Sequence, residues 1–345
     1  MNSPLLAEPG AVAADAPDVG VAAHYGDPYA EQRALAAGWG VVDASHRPVL
    51  KITGADRLSW LHSLSTQHLE RLAPGESAQT LILSPQGHVQ YELTLTDDGD
   101  TTWAHVEPGT SAGVLEFLIS MRFMLAVEAE DVSSDYAVLT VQGPAVPAEL
   151  ASPAAVRIGT DAGTDLILAR DSLVQTVADL RSAGAALAGM WAHEALRIAA
   201  GCPRLGLDTD HRTIPHEVGW IGTAVHLDKG CYRGQETVAR VHNLGHPPRR
   251  LVLLQLDGSV DRLPAHGGPV EFDGTQVGSM GSSARHYELG PIGLALIKRT
   301  TPVDAALQAD GIAAAQEVLV SPDAGANVQI TFKRPRGDLI GRPRE

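Results

Sequence analysis

The chain has 345 residues, 44% of them hydrophobic, enough to bury one large core or two to three smaller ones. A formal charge of -15 disfavours broad contact with nucleic acid, and two cysteines are too few for a disulfide framework, so free thiols in a reducing cytoplasmic setting are expected. Aromatics at 4%, with 35 glycines and 22 prolines, point to an aliphatic core and many turns.

Residues 1–25 are rich in Ala and Pro and carry acids but no Lys or Arg, so they lack the basic start of a secretory signal. They read as a mobile lead-in, and no 18-residue apolar run suggests a membrane span. Val49 to Thr53 alternates as a half-buried strand; Gly54 turns the chain, and Asp56 is placed to cap a helix carrying Leu58, Leu61 and Leu64. From Leu81 the period becomes two. Val89, Tyr91, Leu93 and Leu95 share one side and Gln90, Glu92, Thr94 and Thr96 the other, with turns at 84–87 and 97–100, which predicts an antiparallel meander running into Trp103–Val106.

A helical pattern from Ser111 to Met121 leads into strand-like runs at Met124–Val132, Tyr136–Gln142 and Asp165–Ala169. Helices follow at Ser172–Ala183 and Met190–Ala200, the second with Trp191, Ala195 and Ile198 on one face and a stop at Gly201 and Pro203. Trp39 and Trp60 read as core or rim residues. Beyond Pro247-Pro248, apolar runs at Arg250–Leu256, Val270–Phe272, Ile292–Ile297, Val318–Ser321 and Val328–Phe332 alternate with Gly, Pro and Asp. They predict a separate small β-barrel or sandwich over 247–340, after an α+β region over 26–246.

The densest chemistry lies in Val225–Arg240, VHLDKGCYRGQETVAR. Gly230 and Gly234 allow a tight loop; Cys231 sits beside Lys229 and Arg233, and a helix opening at Gln235 would add positive potential, all favouring thiolate. Cysteine is equally often a small buried side chain, and spacing alone leaves both readings open. Residues 229–250 hold five cations (Lys229, Arg233, Arg240, Arg249, Arg250) against the one acid Glu236, a net +4 suited to an acidic small ligand. His193-Glu194 begins like a zinc motif, but Arg197 stands where the second His belongs, leaving a surface dyad; no histidine spacing between His211 and His246 supports metal ligation. Glycine-rich nucleotide loops are missing as well.

KGCYRGQE resembles the signature of the YgfZ family of folate-binding proteins, relatives of the glycine-cleavage T-protein. ITGADRLSWLHSLST resembles the superfamily's first strand–helix unit, LTVQGP a strand–turn of its middle portion, and AHEALRIAAGCPRLGLD the helix and turn before the signature. The resemblance implies T-protein-like α+β domains and a C-terminal β-barrel in a ring around a central folate cavity, with the signature Cys facing it. It implies tetrahydrofolate as cofactor and a part in assembling or repairing iron–sulfur clusters, and through them in tRNA thiolation. Iron–sulfur assembly proteins or client enzymes would then be partners, without direct nucleic-acid or membrane binding. An assembly factor is implied before a classical enzyme; the alternative is a folate-dependent aminomethyl or methyl transferase.

The residues implied are Cys231 as reactive thiol, with Lys229 and Arg233 lowering its pKa, and Arg233 and Arg240 holding the acidic tail of folate. Tyr232 would line the cavity or anchor its loop, while Gly234, Gln235 and Glu236 shape that loop; Cys202 is expected to be structural. T-proteins resemble one another in an Asp-Asp pair and a later Glu, where this chain has Tyr91-Glu92 and Ala199. The implied pterin contacts fall on Arg47 and His193, and Glu92 could act only if the alternation turns it toward the cavity.

Overall fold

A computed structural model describes residues 1–147, 156–160 and 162–325. In chain order the elements are β1 (Val12–Ala13), β2 (Ala22–His24), α1 (Pro28–Ala37), β3 (Gly40–Asp43), β4 (Val49–Thr53), α2 (Arg57–Leu64), β5 (Ser77–Leu83), β6 (Val89–Asp97), β7 (Thr101–Val106), α3 (Ser111–Ser120), β8 (Glu128–Asp131), β9 (Tyr136–Gln142), β10 (Val156–Thr160) and β11 (Gly163–Ala169). They continue with α4 (Leu173–Ser182), β12 (Ala186–Ala188), α5 (Met190–Ala199), α6 (Gln235–Leu244), β13 (Arg249–Leu256), β14 (Pro269–Phe272), β15 (Thr275–His286), β16 (Gly290–Lys298), β17 (Leu307–Ala309) and β18 (Ile312–Val318).

The first sheet, in order β5-β6-β7-β4-β8, is antiparallel throughout. Its apolar face, including Leu50, Ile52, Leu93 and Leu95, packs on Trp60, Leu61 and Leu64 of α2 and on Val114 and Leu118 of α3. The second sheet runs β10-β11-β9-β3-β12, with β12 and β3 parallel. Successive side chains of a strand face opposite ways. Val41 accordingly joins the core under α4 (Leu173, Val177, Leu180), while Val42 joins the one beneath Leu35 of α1 and Met190 and Ala192 of α5. Trp103, Val138, Ile158 and Ile167 fill the seam between the sheets.

Strands β13-β16-β15-β14-β17-β18 close into a barrel. On β13 the alternation serves two cores at once: Val252 and Leu254 point into the barrel, whereas Leu251 and Leu253 pack outward on Leu81, Ile198, Trp220, Tyr232 and Val238. That outer cluster binds the barrel to the first sheet, α5 and α6, so the three units meet around a common centre.

Four expectations change. The lead-in is packed, not mobile: Leu5 and Val21 are buried, β1 pairs with β2, and Asp18 forms an ion pair with Arg204 at 2.6 Å. Its few apolar residues fill a gap beside the second sheet, which composition alone concealed. Trp191 stands 53% exposed on α5, away from the buried Ala195 and Ile198. The run expected over Met124–Val132 pairs only from Glu128, and Met124 lies wholly in solvent. The strand expected at Val318–Ser321 is instead β18, ending at Val318, while the run Val328–Phe332 lies outside the described residues.

Candidate functional site

Where the three units meet, a cavity of about 1080 Å³ opens. Its walls come from β5–β7 (Gln79, Glu92, Thr94, His105), the second sheet (Thr140, Gly159, Asp165), α5 with the following loop (His193, Arg197, Cys202, Arg204) and the barrel side (Leu251). Arg47, Arg71 and Glu107 complete its charged lining.

Glu92 faces the cavity because Tyr91, Leu93 and Leu95 take the opposite side of β6 against α2 and α3. Its Oε1 accepts from Thr94 Oγ1 at 2.9 Å and Gln79 Nε2 at 3.2 Å. Burial, reinforced by the charge of Glu107, raises the Glu92 carboxyl above the ordinary range. A carboxyl so placed can hold a proton and donate it.

Beside it, His105 Nε2 lies 2.8 Å from Asp165 Oδ2, and Thr140 Oγ1 donates to Asp165 Oδ1 at 2.6 Å. Burial would push Asp165 up, but the hydrogen bonds and charge of its neighbours outweigh it and hold the carboxyl low. His193 donates from Nδ1 to Gln142 Oε1 at 2.7 Å, and burial depresses its pKa to about 4, so the imidazole is neutral at physiological pH.

A chain of alternating charges runs behind this wall. Arg47 pairs with Glu107 at 3.2 Å; Glu107 with Arg204 at 2.8 Å; Arg204 also with Asp18 at 2.6 Å and Glu194 at 3.4 Å. Glu194 pairs with Arg197 at 2.7 Å, and Arg197 reaches Asp208 at 2.9 Å and Ser282 Oγ at 2.7 Å. Burial opposes charge on Glu194, yet the two arginines hold its pKa down at about 2. The network joins the lead-in, α5 and the barrel strand β15 through side chains that fold to one place.

Of the residues singled out in the sequence, Arg47, Glu92 and His193 line the cavity, whereas Lys229, Cys231, Tyr232, Arg233, Gly234, Gln235, Glu236 and Arg240 do not. The signature loop packs against the first sheet's turn and helix instead. Lys229 Nζ donates to the backbone carbonyls of His62, Ser65 (2.5 Å) and Gln67 (3.0 Å), and burial presses its pKa down to about 8. Tyr232 is buried in the central cluster with its ring 5.1 Å from the Lys229 ammonium, and burial pushes its phenol up to about 12. Arg233 lies over the Phe117 ring at 5.3 Å. Gly234 starts α6 at φ 81°, so close to the 84–87 turn that a Cβ would stand 2.6 Å from the Ser84 carbonyl oxygen.

Cys231, Glu236 and Arg240 are exposed. The +4 segment is largely spent on structure: Arg249 pairs with Asp210 and Glu217 at 2.6 and 2.8 Å, and Arg250 is buried, bonded to Thr301 O and Gln316 Oε1. Two sequence readings are thereby corrected. Glu194 belongs to a buried network rather than a surface dyad, and the signature Cys231 does not face the cavity. Their spacing carried a signal, since Glu194 and Arg197 fall one helical turn apart beside the buried Ala195 and Ile198. His105 and Asp165 gave none, because one polar residue inside an apolar strand looks like any other, and neither did Glu107, just past the end of β7.

Comparison with known proteins shows what the chain is similar to. Residues 5–164 match the model of the GCVT N-terminal domain. Similar proteins include an aminomethyltransferase of Rippkaea orientalis, 27% identical, with 78% of this chain and 81% of the relative covered. An aminomethyltransferase of Geobacillus kaustophilus is 28% identical, with 78% and 81% covered. A putative chloroplastic transferase of Arabidopsis thaliana is 25% identical, with 73% and 65% covered. The crystal structure of glycine cleavage system aminomethyltransferase T from Bartonella henselae superposes with a TM-score of 0.74 at 19% identity, covering 90% of this chain and 93% of that one, which establishes the shared fold.

Proposed function

Since the chain shares its fold and its N-terminal domain with the glycine-cleavage T-protein superfamily, we propose that it binds tetrahydrofolate and supports the assembly or repair of iron–sulfur clusters in the cytoplasm. The observation that carries the reading is a separation: the cavity lies inside, whereas the signature thiol of Cys231 is exposed on a loop that does not line it. A thiol so placed is available to another macromolecule. One cysteine cannot hold a cluster unaided, since ligation generally takes four thiolates, so a partner completes any such site.

The cavity suits the cofactor in size and donors. Its volume lies at the upper end for small-molecule sites. Glu92, with its raised pKa, can both donate to and accept from a polar ring edge; His193 offers a neutral imidazole, and Arg47 and Arg71 offer charge to carboxylates. Tetrahydrofolate, when bound, supplies a carrier for one-carbon units. These side chains would hold and orient it, and Glu92 would keep a proton available at its carboxyl.

The test is the activity of an iron–sulfur enzyme in cells lacking this protein, restored with wild type or Cys231→Ala at matched expression. Wild type alone should restore activity, while calorimetry should find tetrahydrofolate bound by both proteins. Restoration by Cys231→Ala, or a deletion without defect, would defeat the assembly reading.

A second reading, folate-dependent aminomethyl transfer, rests on Glu92, a cavity-facing carboxyl with a raised pKa in a chain similar to aminomethyltransferases. Proton transfer to or from a reacting nitrogen needs an acid so poised. Tetrahydrofolate-dependent ammonia release from an aminomethylated carrier, lost in Glu92→Gln, would favour it.

A further inference from the structure

The last turn of α2 and the chain leaving it bring two imidazoles and a carboxylate together. His62 lies on that turn; His68 and Glu70, two residues apart on the following irregular segment, join it, and the ligand atoms of all three fall within 4.8 Å of one another. His62 and His68 rings stand 4.8 Å apart, and a third ring, His226, lies 5.4 Å from His68.

We propose that His62, His68 and Glu70 bind one divalent transition-metal ion at the edge of the cavity, its fourth position left open to the cavity.

The local construction favours such a site. His68 and His226 border the cavity, so an ion there is open to solvent and to a bound small molecule. The backbone beneath is fixed: Lys229 bridges the carbonyls of His62, Ser65 and Gln67, and Thr66 Oγ1 donates to Ala224 O while His226 N donates to Thr66 O. The segment carrying the ligands is thereby held in place by its neighbour before any ion arrives, which reduces the ordering that binding must bring about.

Ligand chemistry narrows the ion. Imidazole with carboxylate and without thiolate suits Zn²⁺, Co²⁺ or Fe²⁺, rather than Cu⁺ or the oxygen-seeking Mg²⁺ and Ca²⁺. Three protein ligand atoms at ~2.0–2.2 Å from a tetrahedral ion sit closer than the present spread, and Glu70, exposed on the surface, supplies most of the closure. The site is independent of the folate reading, as its ligands come from the turn and loop rather than from Glu92 or His193.

The test uses the full chain, stripped with a chelator and titrated with Co²⁺ by visible absorption and with Zn²⁺ by calorimetry. One equivalent should bind, with the intense d–d absorption of a four-coordinate ion. His68→Ala and Glu70→Gln should each weaken binding by ~10-fold or more, while His211→Ala, an exposed histidine outside the cluster, should not. Glu70→Gln decides the matter should His68→Ala fail to fold, because Glu70 is exposed. No stoichiometric binding, or affinity within twofold of wild type in Glu70→Gln, would overturn the assignment.

Discussion

Replacing Lys229 by Met separates two roles for the most charged part of the signature. Sequence logic places the ammonium beside Cys231 as an activator of the thiol; the structure turns it inward onto three carbonyls. The carbonyls of His62 and Ser65 lie at and just past the C-terminal end of α2, where the last groups of a helix have no partner within it. Removing a charged donor from a buried acceptor costs ~1–3 kcal/mol. Ser65 O is buried and suffers in full, while the bonds to His62 and Gln67 are partly buried, so water recovers some of their loss. Methionine keeps the apolar stem, and the net effect should be about 3 kcal/mol. Urea denaturation with an unchanged m-value should record it, with faster amide exchange over residues 62–69. Iodoacetamide alkylation of Cys231, followed in a Cys202→Ser background, should keep its rate. A loss under ~1 kcal/mol together with slowed alkylation would refute the strut and restore Lys229 as an activator.

Three further outcomes follow from the same geometry. Arg204→Met strands Asp18, Glu107 and Glu194 around an empty centre and should lower stability by ~3–5 kcal/mol, with partial recovery in the Arg204→Met, Asp18→Asn double variant, both read from urea midpoints. Gly234→Ala forces a Cβ into the left-handed region and to 2.6 Å from Ser84 O, and should cost ~2 kcal/mol or more in the same assay. His193, neutral in the fold down to about pH 4, binds fewer protons there than the unfolded chain does below pH 6.5. Stability should therefore fall as pH drops through that window, by at most ~1.4 kcal/mol per unit from this group, and His193→Gln should flatten the slope.

How far the sequence showed this arrangement depends on whether an element's chemistry is local. The meander of β5–β7, the helices α2–α5 and the start of the barrel at β13 are written in periodicity and turn residues that lie next to one another in the chain. Glu92 was legible for the same reason: its side of β6 follows from that of Leu93 and Leu95. The lead-in was not, because what orders it lies far along the chain, in Arg204 for Asp18 and in the second sheet for Leu5 and Val21.

The signature loop shows the stronger form of the same limit. Its residue types fit a reactive, cationic ligand pocket, and the family resemblance pointed the same way. Yet whether a lysine beside a cysteine activates a thiol or ties down a backbone depends on which carbonyls lie within reach of its ammonium. Those carbonyls belong to residues 62–67, more than 160 positions earlier. The tie has a functional consequence in its own right. It locks the loop carrying Cys231 to the turn that carries His62 and His68, so the thiol and the cavity edge are held by one rigid strut. A partner that engages the thiol therefore acts on a surface mechanically continuous with the cavity edge, and loosening the strut should disturb both sites together.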